Sequence, residues 1–160
     1  MAYIFDTNTL LEAKNRYYAF DVCPGFWDWL LVEKERGNVL CIEAVKNELE
    51  DPDAEAWAKA NPTFFDANDD SRMADVSQWV MAQGRFFAAA KTEFLSKADP
   101  RVISFALAKG HTVVTQEVSA PNSKKAVKIP DVCIAFGAPC KNSFQILNEL
   151  NARFILEVQP

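Results

Sequence analysis

Short apolar runs alternate with longer stretches of helical period along this chain. Tyr3 to Phe5 reads as a buried strand, and Thr7 to about Asn15 as a helix carrying Leu10, Leu11 and Ala13. Tyr17 to Gly25 connects with aromatic anchors. Phe26 to Arg36 is helical and stops at Gly37, a residue that commonly ends helices. Val39 to Ile42 is a second strand, and Glu43 to Glu50 a helix that stops before Asp51-Pro52. Asp53 to Ala60 is helical. Ser71 to about Leu95 supplies one or two helices, with Val76, Trp79, Val80 and Phe87 at helical intervals. Asp99-Pro100 opens a helix that runs to Gly110, and Thr112 to Thr115 is a third strand. Gln116 to Pro130 reads as a polar loop. Asp131 opens a short helix to about Gly137, Ser143 to Leu150 is another, and Arg153 to Val158 a last strand. Strands that alternate with helices predict parallel pairing, hence a three-layer α/β/α sandwich around a short, mainly parallel sheet.

The 160 residues suit one domain, taken here as 1–160, and 49% of them are apolar, enough for a sizeable core. The net charge of −5 and pI of about 4.9 argue against nucleic-acid binding by bulk electrostatics. They leave open an acidic site that meets phosphates through bound cations. No stretch approaches the roughly 18 apolar residues of a membrane span. The start lacks the basic and apolar regions of a secretory signal. The cysteines, Cys23, Cys41, Cys133 and Cys140, form no CxxC pair and read as reduced thiols of a cytoplasmic protein. The single histidine, His111, reads as a loop or strand-edge residue, since one imidazole falls short of a zinc ligand set.

In such a fold the ligand site lies beyond the carboxyl ends of the strands. Four acids stand there: Asp6 after the first strand, Glu48 on the helix after the second, Asp99 before the third, and Glu117 after it. Each also has a local reading. Asp6 and Asp99 suit helix N-caps, and Asp99-Pro100 is a strong local helix start. Glu48 and Glu117 suit solvated positions. As a set, carboxylates at one rim repel one another, and a divalent cation relieves that repulsion. All-oxygen donors suit Mg²⁺ or Mn²⁺, and such an ion polarises a phosphoryl oxygen and acidifies bound water.

The segments YIFDTNTLL, VKNELE, ADPRVISFALAKGHTVVTQE and IPDVCIAFG, in this order, resemble a PIN domain. They are most similar to an uncharacterised PIN-like bacterial family, discussed as the toxin half of toxin–antitoxin pairs. The resemblance implies a metal-dependent ribonuclease that leaves 5′-phosphate and 3′-hydroxyl ends, with an antitoxin partner and a possible homodimer. It places Asp6, Glu48 and Asp99 at the first three acidic positions and Asn8 at a polar position near the first. Thr115 falls at a threonine that orients a ligand or water. Glu117 stands where such domains often have Asp, which lengthens the side chain by a methylene. Asp131 is a further acid, although its place after Pro130 also suits an N-cap. Lys124, Lys125 and Lys128 are candidate RNA contacts or ordinary loop residues. The dense aromatics Tyr17, Tyr18, Phe20, Phe26, Trp27 and Trp29 suit base stacking, a protein interface or the core.

Two rival readings stand beside the nuclease. One is a PIN-like module whose site has decayed and which binds protein. The other is a phosphatase of haloacid-dehalogenase type, whose Asp-x-Asp would here be Asp6-Thr7-Asn8. No GxGxxG or GxxxxGK[ST] occurs to support a nucleotide-binding domain.

Overall fold

The computed structural model describes residues 1–156 and 158. Its sheet contains five strands: β1 (Tyr3–Phe5), β2 (Val39–Ile42), β3 (Phe65–Asp66), β4 (Thr112–Val114) and β5 (Cys140–Lys141). They lie in the order β3-β2-β1-β4-β5, and every pairing is parallel. Helices cover the sheet to give the expected three-layer α/β/α sandwich. Consecutive parallel strands need crossover connections, which is why strands and helices alternate along the chain. All four residues of β2 are buried, as expected of a central strand covered on both faces.

Nine α-helices are formed by the described residues: α1 (Thr7–Glu12), α2 (Pro24–Glu35), α3 (Glu43–Glu48), α4 (Pro52–Ala60), α5 (Met73–Ala82), α6 (Ala88–Ser96), α7 (Asp99–Lys109), α8 (Ile129–Phe136) and α9 (Ser143–Glu149). A π-helical turn, Ala13–Tyr17, continues α1. Helix α7 packs on β1 and β4 and is contacted by α5, α6 and α8; α2 packs on β2. Its Val102, Ile103 and Ala106 lie in the same core as Ile4, Phe5 and Val113. Gly110 ends α7 at φ +70, in the left-handed region where a side chain would be strained.

The chain builds outward from β1 through β2 to β3, then returns to place β4 on the other side of β1. This reversal is a topological switch, and it opens a crevice at the carboxyl ends of β1 and β4. The Asp6 N–H donates to the Val114 carbonyl at 3.1 Å, so the residues that follow the two strands are held side by side.

The structure corrects three expectations about elements. Strands β3 and β5, two residues each, fall in segments where the sequence pattern predicts no element. Arg153 to Val158 forms no strand among its described residues. Phe154 instead packs its ring against Tyr18, Phe26 and Trp29. The third strand ends at Val114, which leaves Thr115 at the mouth of the crevice. Of the aromatic segment, Phe26 and Trp27 are core, Tyr18 stacks on Phe26 at 4.4 Å, and Phe20 and Trp29 are packed against them.

Candidate active site: four carboxylates at the switch point

Asp6 is 1% exposed and uses both carboxylate oxygens. Oδ1 accepts the Thr9 N–H at 2.7 Å, so the N-cap reading holds. Oδ2 accepts the Thr115 hydroxyl at 2.6 Å, across the switch point. The Thr115 oxygen in turn accepts the Glu117 N–H at 3.1 Å. Thr115 therefore ties the first acid to the backbone of the last. Despite these donors, burial pushes Asp6 up to about 6, and the Glu117 charge adds to the rise.

Glu48 ends α3 and bridges two elements. Its Oε2 accepts the Thr7 hydroxyl at 2.7 Å, and its Oε1 accepts the Ala98 N–H at 2.5 Å. This second bond corrects the N-cap reading of Asp99. With its N–H held by Glu48, Ala98 takes the cap position and has no side-chain oxygen to offer. Asp99 is pushed into the first turn, and among the described residues no N–H or O–H donates to its carboxylate. It is half-buried and raised to about 7, first by burial and then by Asp6, Glu117 and Glu48, against the opposing Lys97.

Glu117 accepts the Ile129 N–H at the start of α8 at 2.8 Å and pairs with Lys128 at 3.3 Å. It lines a small cavity of about 110 Å³ with Asp99, Lys97 and Lys128. Asp99 and Lys97 also line a neighbouring cleft of about 320 Å³ with Thr7, Asn8 and Glu48. Glu48, Asp99 and Glu117 thus border one connected rim, whereas the buried Asp6 lines neither cavity. Among the described residues, no three carboxylate, imidazole or thiol side chains stand close enough together to hold one ion as they are placed. The donor chemistry, oxygen alone, suits a hard divalent cation.

A model of the family described as a domain of unknown function, DUF4411, matches residues 3–154. The chain belongs to that family. No curated protein and no solved structure matches it. The DUF4411 match spans all four acids and both cavities, so the rim belongs to the domain itself.

Asp131 does not cap α8 in this DUF4411 domain. Lys128 holds the cap position, and the buried Asp131 carboxylate accepts the Ser119 hydroxyl and the Ala120 N–H. Both of its oxygens therefore fasten the loop after Glu117, away from the cavity that Glu117 shares with Asp99. Lys124 and Lys125 are exposed on that loop, whereas Lys128 is committed to Glu117. His111 accepts the Ala2 N–H through Nδ1 at 3.2 Å, which accounts for it structurally. Thr7 and Lys97 were not among the sequence candidates. Each adjoins or nearly adjoins an acid in sequence, Thr7 after Asp6 and Lys97 two before Asp99, and that adjacency is the signal available.

Proposed function

We propose that this protein is a metal-dependent endoribonuclease that hydrolyses RNA phosphodiester bonds. The observation that carries the reading is Asp99: a half-buried carboxylate with no donor among the described residues, raised to about 7 by burial and by three neighbouring acids. Helix caps are stabilised by the N–H groups they accept; Asp99 accepts none and faces like charge instead. That is the electrostatic condition a cation relieves.

Asp6, Asp99 and Glu48 would hold Mg²⁺ or Mn²⁺, with Glu117 beside them. The ion, when bound, supplies charge for a phosphoryl oxygen and acidifies water. The chain's own residues prepare this. Thr115 and Thr9 fix the Asp6 carboxylate from two sides. Thr7 and Ala98 fix Glu48 from two elements. Asp99 holds a proton for part of the time at neutral pH, and a cation would displace it. Asn8, exposed in the same cleft, would meet substrate. The PIN resemblance that suggests RNA also suggests a toxin paired with an antitoxin.

The second reading is a decayed module that binds protein. The absence, among the described residues, of three donors already converged favours it, as does the pairing of Glu117 with Lys128. A fluorogenic RNA incubated with wild type and Asp6→Asn, in Mn²⁺ and in EDTA, separates the two. The nuclease reading expects cleavage only by wild type with Mn²⁺. Equal cleavage by a folded Asp6→Asn protein refutes the roles given, and none by wild type favours the module.

A further inference from the structure

Most of the chain's 17 lysines and arginines are committed to carboxylates. Those without a carboxylate partner among the described residues are Lys46, Arg85, Lys91, Lys124, Lys125 and Arg153. Four of them stand in neighbouring segments. Arg85 lies in the connection between α5 and α6, Lys91 in the first turn of α6, and Lys124 and Lys125 on the loop after Glu117.

Phe87 joins these segments. Its N–H donates to the Lys124 carbonyl at 2.9 Å, and its carbonyl accepts the Lys91 N–H at 3.2 Å. Its ring is 54% exposed, in a chain that puts most of its phenylalanines in the core. The Lys91 ammonium donates to the Met81 carbonyl at 2.8 Å. The Arg85 guanidinium lies over the Phe86 ring at 4.5 Å, and its Nε has no hydrogen-bond partner among the described residues. An exposed aromatic ring is thus flanked by cations that have no carboxylate partner among the described residues, on a protein whose net charge is −5.

This face is continuous with the acidic rim. From Phe87 at its N-cap to Lys97 at its C-cap, helix α6 carries Ala90, Glu93 and Phe94, which line the 110 Å³ cavity together with Lys97 and with Asp99 of α7. The nine residues of α6 cover about 14 Å, a few nucleotides of extended strand. Ala126, Val127 and Lys128 line the same cavity from the loop that carries Lys124 and Lys125.

We infer that Phe87, with Arg85, Lys91, Lys124 and Lys125, forms a platform that holds a single-stranded segment of RNA beside the acidic rim. The ring stacks on an unpaired base, which a duplex does not offer, and the cations meet the flanking phosphates. The platform names the substrate class of the nuclease proposed above and rests on that reading for its place in a reaction, but its binding is measured without reaction.

The test is fluorescence anisotropy in EDTA with labelled oligouridine a dozen nucleotides long, and with an RNA duplex of that length. Wild type should bind the single strand more tightly than the duplex. Phe87→Ala should weaken single-strand binding at least about fivefold, while Phe87→Tyr, which keeps a ring, should bind like wild type. Lys124→Gln with Lys125→Gln should lower the slope of log affinity against log salt by about 1.4, two contacts at about 0.7 each. Melting curves establish that each variant is folded. Binding unchanged in folded Phe87→Ala overturns the platform, as does a preference for duplex. No binding of either RNA also overturns it and leaves the face to an acidic protein. Binding as expected from a protein that never cleaves in Mn²⁺ would remove the nuclease and leave the platform standing.

Discussion

Replacing Asp99 by asparagine should stabilise this protein at alkaline pH when no divalent cation is present. In the folded chain Asp99 is raised to about 7 from the ordinary aspartate value of 3.8. The folded state therefore holds this proton more tightly than the unfolded state between these two values. Stability is greatest below about pH 4 on account of this group, and it falls as pH rises through about 7. The distance from 3.8 to about 7 corresponds to about 4 kcal/mol at high pH. Part of the rise comes from Asp6, itself raised to about 6, so the two acids share it. The expected gain for Asp99→Asn at pH 8 in EDTA is then about 2–4 kcal/mol, or about 5–15 °C in melting temperature for a chain of this size. At pH 4 the variant and wild type should melt together, because both are neutral at position 99. Saturating Mn²⁺ should raise the wild-type melting temperature and narrow the gap at pH 8. Differential scanning fluorimetry across pH 4 to 8 measures all of this. A variant that melts at or below wild type throughout, or a gap that does not change with pH, would refute the reasoning.

Two further outcomes follow from the hydrogen bonds around the site. Thr115→Val keeps the shape but leaves the buried Asp6 Oδ2 without its donor, which should cost about 1.5–3 kcal/mol in urea unfolding at pH 8 and less at pH 5, where Asp6 is more often protonated; an equal loss at both would show that the charged bond is not what matters. Asp131→Ala removes the acceptor for Ser119 and Ala120, so hydrogen exchange should quicken across residues 117–128 and leave α7 unchanged; protection as in wild type would mean that the loop is held by other contacts.

The strands and helices that carry the site were legible because each is long or strongly apolar enough to announce itself. Ile4, Phe5 and Val39 to Ile42 form short apolar runs that the sheet buries, and α7 repeats its apolar residues at helical spacing. The edge strands were not legible. Phe65–Asp66 and Cys140–Lys141 have two residues each, too few to show an alternation, and they exist because β2 and β4 offer them backbone partners. Phe154 to Val158 has strand-like residues, but its first aromatic finds Tyr18, Phe26 and Trp29 instead of a sheet edge. Local pattern also misplaced two acids for a common reason. Asp99-Pro100 looks like a cap until Glu48, fifty residues away, takes the Ala98 N–H. Asp131 looks like a cap until Ser119 and Ala120 fold back onto it. In both cases a partner distant in sequence decides what the carboxylate does, and adjacency in sequence cannot display that partner.

The central claim, that the acids at the switch point take up a divalent cation, is tested most directly by isothermal titration of Mn²⁺ into wild type, Asp6→Asn and Asp99→Asn at pH 8. The account predicts binding by wild type, and none by either variant while both remain folded. Wild type that takes up no Mn²⁺, or variants that bind it as tightly as wild type, would contradict it.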